Sequence, residues 1–173
     1  MKNAITLLHA IASILVIFAL HTGVAYSAPY PIYNLHTIYI YLVWLLIHSQ
    51  KTKAMWLALT LGYLTELFSA ETFGVHTITL LISVTVVGWL IEKIFTSHSW
   101  YIILIIGLCA TLTYRLLFIL VSSASHFFKD ITSYLTSNTI ESAGVEILVN
   151  TTGLLLLYGI NKLFTKRVNP RYI

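Results

Sequence analysis

The chain has 173 residues, of which 58% are hydrophobic and only 9% are charged, and its formal net charge is +4. A soluble domain normally carries roughly 25% charged residues to cover its surface, so the composition excludes an ordinary soluble protein and indicates an integral membrane protein. The basic residues are scattered at the ends of apolar segments instead of clustered on one face, which argues against a nucleic-acid partner.

Six apolar segments are candidates for membrane-spanning helices. A helix rises about 1.5 Å per residue, so crossing a bilayer core of about 30 Å takes roughly 17–25 residues. No linker rich in Pro, Gly or Ser divides the chain, and we therefore predict one all-α membrane domain over residues 1–173, a six-transmembrane-helix bundle. The predicted spans are residues 4–20, 33–48, 54–68, 75–94, 100–121 and 145–164.

Two of these assignments have alternatives. The first segment, with Lys2 before it and Ala25-Tyr-Ser27 after it, also has the outline of a cleavable signal peptide. Its apolar run is about as long as a spanning helix, which favours a retained first helix. The short third segment and the fourth, joined by a turn at Gly74, are also compatible with a re-entrant hairpin.

The basic residues predict the orientation, because short cytoplasmic loops accumulate Lys and Arg. With the N-terminus inside, Lys129 is the one basic residue outside, and Arg115 lies within a span. Both termini are therefore predicted to be cytoplasmic. The inside set is Lys2, Lys51, Lys53, Lys93, Lys162, Lys166, Arg167 and Arg171.

Residues 125–136, in the longest connection, predict an amphipathic helix on the outer membrane surface. Phe127, Phe128 and Ile131 recur there at helical spacing, and polar residues fill the other face. This helix either packs on the end of the bundle or docks a partner.

Aromatic residues crowd the first loop and the second span. Amphipathic rings prefer the headgroup layer, so we interpret most of them as interfacial anchors and not as a ligand cage. They are Tyr26, Tyr30, Tyr33, Tyr39, Tyr41 and Trp44.

Hydrolase and cofactor signatures are missing from the sequence. It has no His-Glu-x-x-His pair, no Gly-x-Ser-x-Gly elbow and no Gly-rich phosphate loop, and Asp130 is its single aspartate. The single cysteine, Cys109, cannot form an intrachain disulfide. Seven histidines are spread along the chain, mostly at span ends, where a histidine is more often a polar tip than a metal ligand. We therefore predict no enzymatic activity, no metal and no cofactor.

Glu66 lies near the outer end of the third predicted span, and Glu71 lies in the turn before the fourth. An ionisable residue at the edge of a bilayer core usually faces protein or water and tends to mark function. Tyr63 and Ser69 share a helix face with Glu66, so either could hydrogen-bond its carboxylate. The alternative is that Glu66 extends to the outer interface, while Glu71 is solvated in the turn.

Gly74 is expected to have a positive φ, because a sharp return between two helices often needs that conformation and glycine adopts it at little cost. Val75 and His76 then open the fourth span.

Arg115 and Asn150 lie inside the last two predicted spans. An unpaired guanidinium at the depth of Arg115 costs at least a few kcal/mol, so it needs a partner or a route to the surface. The candidate partners are Glu66, Glu146 and Glu141, and we expect a structural pair with Glu66 or Glu146. Asn150 is expected to hydrogen-bond across helices.

The run Gly62-x-x-x-Glu66-x-x-Ser69-x-x-x-x-Gly74-x-His76, followed by an uninterrupted span, resembles the rod shape-determining protein family MreD. Arg115 in the fifth span and Asn150 before a Leu-rich final span are also similar to that family. The chain departs from the family pattern in having Glu66 where aspartate is frequent, and in its long polar connection at residues 122–144.

The resemblance implies a non-enzymatic component of the bacterial cell-elongation machinery in the cytoplasmic (inner) membrane. Members of the family resemble adaptors that link a bitopic MreC-like protein, an actin-like filament and the membrane enzymes of peptidoglycan synthesis. Their architecture is similar to that of the substrate-binding S-components of energy-coupling-factor vitamin transporters, which is the alternative function. S-components typically present an Ala-x-x-x-Ala surface on the first helix, and Ala10, Ala12 and Ala19 lack that spacing. A third possibility is a scaffold for an unrelated complex.

Overall fold

A computed structural model describes residues 2–69, 71–94, 100–125 and 137–168, with side chains described for residues 11–69, 71–94, 100–124 and 142–163. Every regular element in these ranges is helical, in agreement with the all-α prediction. The six α-helices are α1 (Lys2–Ser27), α2 (Thr37–Ile47), α3 (Lys51–Leu67), α4 (Val75–Lys93), α5 (Trp100–Ser125) and α6 (Ser137–Val168), and a 3-10 turn at Ile32–Asn34 precedes α2.

Three of the described helical stretches are long and apolar enough to cross a membrane, judged by length and composition. They are Val75–Lys93, Trp100–Ala124 and Ser142–Leu163. Ile11–Ser27 and Thr37–Ile47 are apolar but shorter. These stretches are consistent with a membrane protein.

Several helix boundaries differ from the predicted spans. The first helix continues beyond residue 20 to Ser27, and α6 begins at Ser137 instead of residue 145. Hydropathy identifies only the apolar part of a helix, so the predicted spans leave out polar turns at the helix ends. The second span was predicted to begin at residue 33, but Ile32–Asn34 form a 3-10 turn and α2 begins at Thr37.

The shortest helix, α2, forms the centre of the bundle. It has 11 residues and a length of about 16 Å. It packs against α1, α3, α4 and α6, and a helix enclosed in this way is apolar all round. Its buried residues are Ile38, Tyr39, Ile40, Leu42, Val43, Leu45, Leu46 and Ile47.

Tyr39 is buried and is therefore not among the interfacial anchors that most of the aromatic residues were expected to be. Its ring is 2% exposed, and its hydroxyl is hydrogen-bonded to the Ser83 hydroxyl and donates to the Ala110 carbonyl over 2.9 Å. The hydroxyl therefore ties α2 to α4 and α5. Tyr26 and Tyr30, by contrast, are exposed.

α3 and α4 form a tightly packed antiparallel hairpin. A Cβ atom placed on Gly62 of α3 would lie 2.8 Å from the Cα atom of Thr77 in α4. Only glycine allows this separation, because real Cβ atoms do not approach a backbone so closely.

The bundle has two chemically distinct ends. The glutamate end, defined by Glu66, Glu71 and Gly74, lies where α3 ends and α4 begins. At the opposite, lysine end, Lys51 at the start of α3 is ion-paired with Glu92 near the end of α4.

Candidate functional site

Glu66 caps the first turn of α4 from the neighbouring helix. Its Oε1 accepts a hydrogen bond of 2.9 Å from the backbone N–H of Thr77, the third residue of α4, and the side chain is buried. The first N–H groups of a helix have no partner within the helix and carry partial positive charge, which a carboxylate stabilises. The predicted hydrogen bond from Tyr63 or Ser69 is not the one formed, because the carboxylate points across to α4.

Ser69 organises the turn that follows. Its Oγ lies 3.0 Å from Nε2 of His76 and accepts a hydrogen bond of 3.1 Å from the backbone N–H of Glu71. The Glu71 carboxylate faces the Ser122 hydroxyl on α5 at 3.5 Å. The turn is therefore attached to α4 and α5, whereas the sequence suggested a solvated Glu71.

Gly74 has a φ of 102° and forms the N-cap of α4. This is the positive φ that its position predicted. A second left-handed residue, Ser49 with a φ of 57°, makes the turn from α2 to α3 and was not predicted, since serine carries no such signal.

The predicted ion pair of Arg115 is formed with Glu146, joining α5 to α6. Nη1 of Arg115 donates to Oε2 of Glu146 over 2.6 Å, and the Glu146 side chain is buried. Nε2 of His36 lies 3.3 Å from the other carboxylate oxygen. The alternative partner, Glu66, is engaged with α4 and not with Arg115.

Asn150 hydrogen-bonds to the backbone at the start of α2, which confirms the prediction that it bonds across helices. Its Oδ1 accepts from the backbone N–H of His36 over 2.8 Å, and its Nδ2 donates to the backbone carbonyls of Asn34 and Glu146. α2 begins inside the bundle, where unpaired backbone groups would be costly. One side chain of α6 satisfies two of them.

Three histidines from different segments of the sequence lie at the same end of the bundle. The rings of His21 and His36 stack with centroids 6.1 Å apart, and His36 packs on Tyr114 at 5.3 Å. His76 lies on Phe118 at 5.4 Å. The signal in the sequence was that all three fall near span ends on the same predicted side. Within the described ranges, no three His, Cys, Asp or Glu side chains are placed to hold a metal ion.

A cavity of about 200 Å³ opens between α1 and the α3–α4 turn at the glutamate end. Pockets for small molecules are typically about 300–1,000 Å³, so this cavity is small for a vitamin-sized ligand. It is lined by Phe18, His21, Thr22, Ala25, Tyr26, Thr65, Phe68, Ser69 and His76.

Of the remaining predicted site residues, Phe127, Phe128 and Ile131 lie outside the described residues, as does nearly all of the predicted amphipathic segment 125–136.

Comparison with known proteins does not identify a family for this chain. No family model matches it, and no curated protein or solved structure is significantly similar to it. Its function must therefore be inferred from its own residues and their contacts.

Proposed function

We propose that this chain is a non-enzymatic, MreD-like adaptor of the bacterial cell-elongation machinery. It crosses the cytoplasmic membrane six times, with both termini in the cytoplasm. Its partners are a bitopic MreC-like protein and other membrane proteins of cell elongation and peptidoglycan synthesis.

This proposal rests on one observation: the motif residues make their contacts within the bundle. Glu66 caps α4, Ser69 joins His76 to the turn, and Gly74 supplies the backbone conformation that starts α4. A catalytic site instead directs its acid, base or nucleophile toward space that a substrate can occupy. The motif therefore supports a role in shaping a rigid corner of the bundle.

The polar residues of the last two helices support the same conclusion. Arg115 and Glu146 pair with each other, and Asn150 bonds to backbone groups around α2. Charged residues in transport pathways usually line a water-filled cavity, whereas these residues fasten neighbouring helices. Function then resides in the outer surfaces of a stable bundle.

The alternative, a substrate-binding S-component of an energy-coupling-factor transporter, is favoured by one observation. A cavity lies beside His21 and His76 at the glutamate end. Its volume of about 200 Å³ argues against a vitamin-sized substrate. We therefore rank capture of a small molecule second.

Co-purification from native membranes tests the proposal. The tagged full-length chain, extracted in mild detergent, should recover an MreC-like bitopic protein and membrane enzymes of peptidoglycan synthesis. Recovery of a vitamin or of a pair of transporter ATPases would contradict the adaptor role and support the alternative.

Two matched variants refine this experiment. Glu66→Leu removes the cap of α4 and should reduce the recovered elongation proteins per tagged chain. Glu92→Leu removes a glutamate at the opposite end, where its side chain is 54% exposed, and should leave recovery unchanged. Equal recovery with both variants would show that the glutamate corner does not support assembly.

A further inference from the structure

The seam between α1 and α3 contains an apolar groove of about 590 Å³ beside the smaller cavity at the glutamate end. Both helices run toward that end, so the groove and the cavity follow one another along the seam. The groove is lined by Ile11, Ile14, Leu15, Leu59, Thr60, Tyr63, Leu64 and Thr77. Phe18 and Phe68, whose ring centroids are 5.3 Å apart, line the cavity that follows.

The lining of the groove favours a hydrocarbon chain over a partner helix. Helices that associate in membranes usually meet through Gly, Ala or Ser, which let their backbones approach, and the groove has none of these residues. The Thr60 hydroxyl is not available to donate a hydrogen bond to a partner helix, because it donates to the carbonyls of Trp56 and Leu57 in its own helix. Large side chains that are about half exposed, such as Ile11 and Tyr63, form its rim.

The cavity supplies polar groups where the groove ends. Nδ1 of His21 is buried and has no hydrogen-bond partner among the described residues, and Tyr26 beside it is 78% exposed. The side chains of Ser69 and His76 are hydrogen-bonded to each other, and the Thr22 hydroxyl donates to carbonyls of its own helix. Among the polar groups that line the cavity, His21 and Tyr26 therefore keep unused hydrogen-bonding capacity within the described residues.

The length of the seam matches one leaflet of a bilayer. From Ile11 to His21 the helix advances by ten residues, or about 15 Å, which is half of a hydrocarbon core of about 30 Å. An apolar groove of this length that ends in hydrogen-bonding side chains reproduces the order of chemical groups along a lipid molecule.

We propose that the α1–α3 seam binds one phospholipid of the leaflet at the glutamate end. One acyl chain lies in the groove, and ester or phosphate oxygens accept hydrogen bonds from His21 and Tyr26. No Lys or Arg lines the described cavity, so binding depends little on the net charge of the headgroup. This proposal assumes that the protein lies in a bilayer, but it does not depend on the proposed adaptor role. A test of the lipid site therefore leaves the adaptor proposal unaffected.

Native mass spectrometry of the delipidated full-length chain in detergent tests this site, with phosphatidylethanolamine and phosphatidylglycerol titrated separately. We expect one saturable lipid per chain, with affinities for the two lipids within about threefold of each other. Leu15→Trp, which fills the groove, should weaken binding at least tenfold, and His21→Ala should weaken it severalfold. Leu116→Trp, at an exposed position on α5, is the matched control and should leave affinity unchanged.

Several outcomes would overturn the proposal. Non-saturating adducts that persist in Leu15→Trp would identify ordinary annular lipid. A strong preference for phosphatidylglycerol, unaffected by His21→Ala, would refute the headgroup assignment. Thermal melting checks that each variant is folded, and Ile11→Trp at the rim replaces Leu15→Trp if that variant unfolds. Unchanged affinity in a folded groove variant would exclude the seam.

Discussion

The buried Glu146 carboxylate takes its partners from α5 and from the entry to α2. The side chain is 5% exposed and lies on α6, while Arg115 approaches from α5 and His36 from the entry to α2. A buried charge without partners would be strongly destabilising, and shared partners reduce that cost. This carboxylate is thus the point at which three parts of the bundle are joined.

Replacing Arg115 by Leu should destabilise the protein. The change leaves the Glu146 carboxylate buried without its guanidinium, and we expect a loss of about 3 kcal/mol, the lower end of the range for breaking a buried pair, because the Arg115 side chain is 26% exposed. Thermal unfolding in nanodiscs measures the effect.

The double variant Arg115→Leu, Glu146→Gln should regain part of this loss, since it removes the uncompensated charge. Lys51→Leu is the matched control: its partner Glu92 is largely exposed, so the expected change is within about 1 kcal/mol. Equal melting of Arg115→Leu and the wild type would mean that Arg115 reaches the surface and needs no partner.

At the scale of secondary-structure elements, α3 and α4 act as one unit. Gly62 lets their backbones meet, Glu66 caps α4 from α3, and Gly74 turns the chain between them. These three features lie within one motif because each depends on the same close approach of the two helices.

Gly62→Ala should therefore force α3 and α4 apart. The added Cβ would lie 2.8 Å from backbone, which cannot yield as a flexible side chain can, so we expect a loss of roughly 1–3 kcal/mol. Thermal unfolding of the purified chain provides the measurement. Gly159→Ala in α6, where a Cβ meets nothing within 4 Å, should be neutral or slightly stabilising. Similar destabilisation by both changes would contradict the packing argument.

At the scale of the whole molecule, the central position of α2 explains how a helix shorter than the thickness of a bilayer can belong to a membrane bundle. At about 16 Å it is much shorter than a hydrocarbon core of about 30 Å. Irregular backbone at membrane depth is tolerated where protein surrounds it, and Asn150 satisfies the backbone at the entry to α2. A short central helix can therefore connect the two sides of the bundle.

This argument predicts that Tyr30 and Thr52, which flank α2, lie on opposite sides of the membrane. In a Cys109→Ala background, a cysteine at position 30 should react with an impermeant maleimide in intact cells. A cysteine at position 52 should react only after permeabilisation. Both side chains are exposed, so access reports the side of the membrane. Labelling of both from outside would contradict the proposed six-span topology.

Several features of the site were predictable because a single residue carried the signal. Gly74 was expected to have a positive φ, Asn150 to bond across helices, and Arg115 to pair with a glutamate, and the structure has all three. The choice of Glu146 over Glu66 was not predictable, because it depends on which helices are neighbours. The same is true of the buried position of Tyr39.

The sequence by itself determined the class of structure, since the hydrophobicity that selects apolar helices is a local property of the chain. It also determined which polar residues would need partners, because burying an unpaired charge is costly wherever it occurs. Only the tertiary structure decided which partners those residues took, that the shortest helix lies at the centre, and that the rings of His21 and His36 stack. Those outcomes depend on the packing of helices distant in sequence, and hydropathy and spacing carry no information about it.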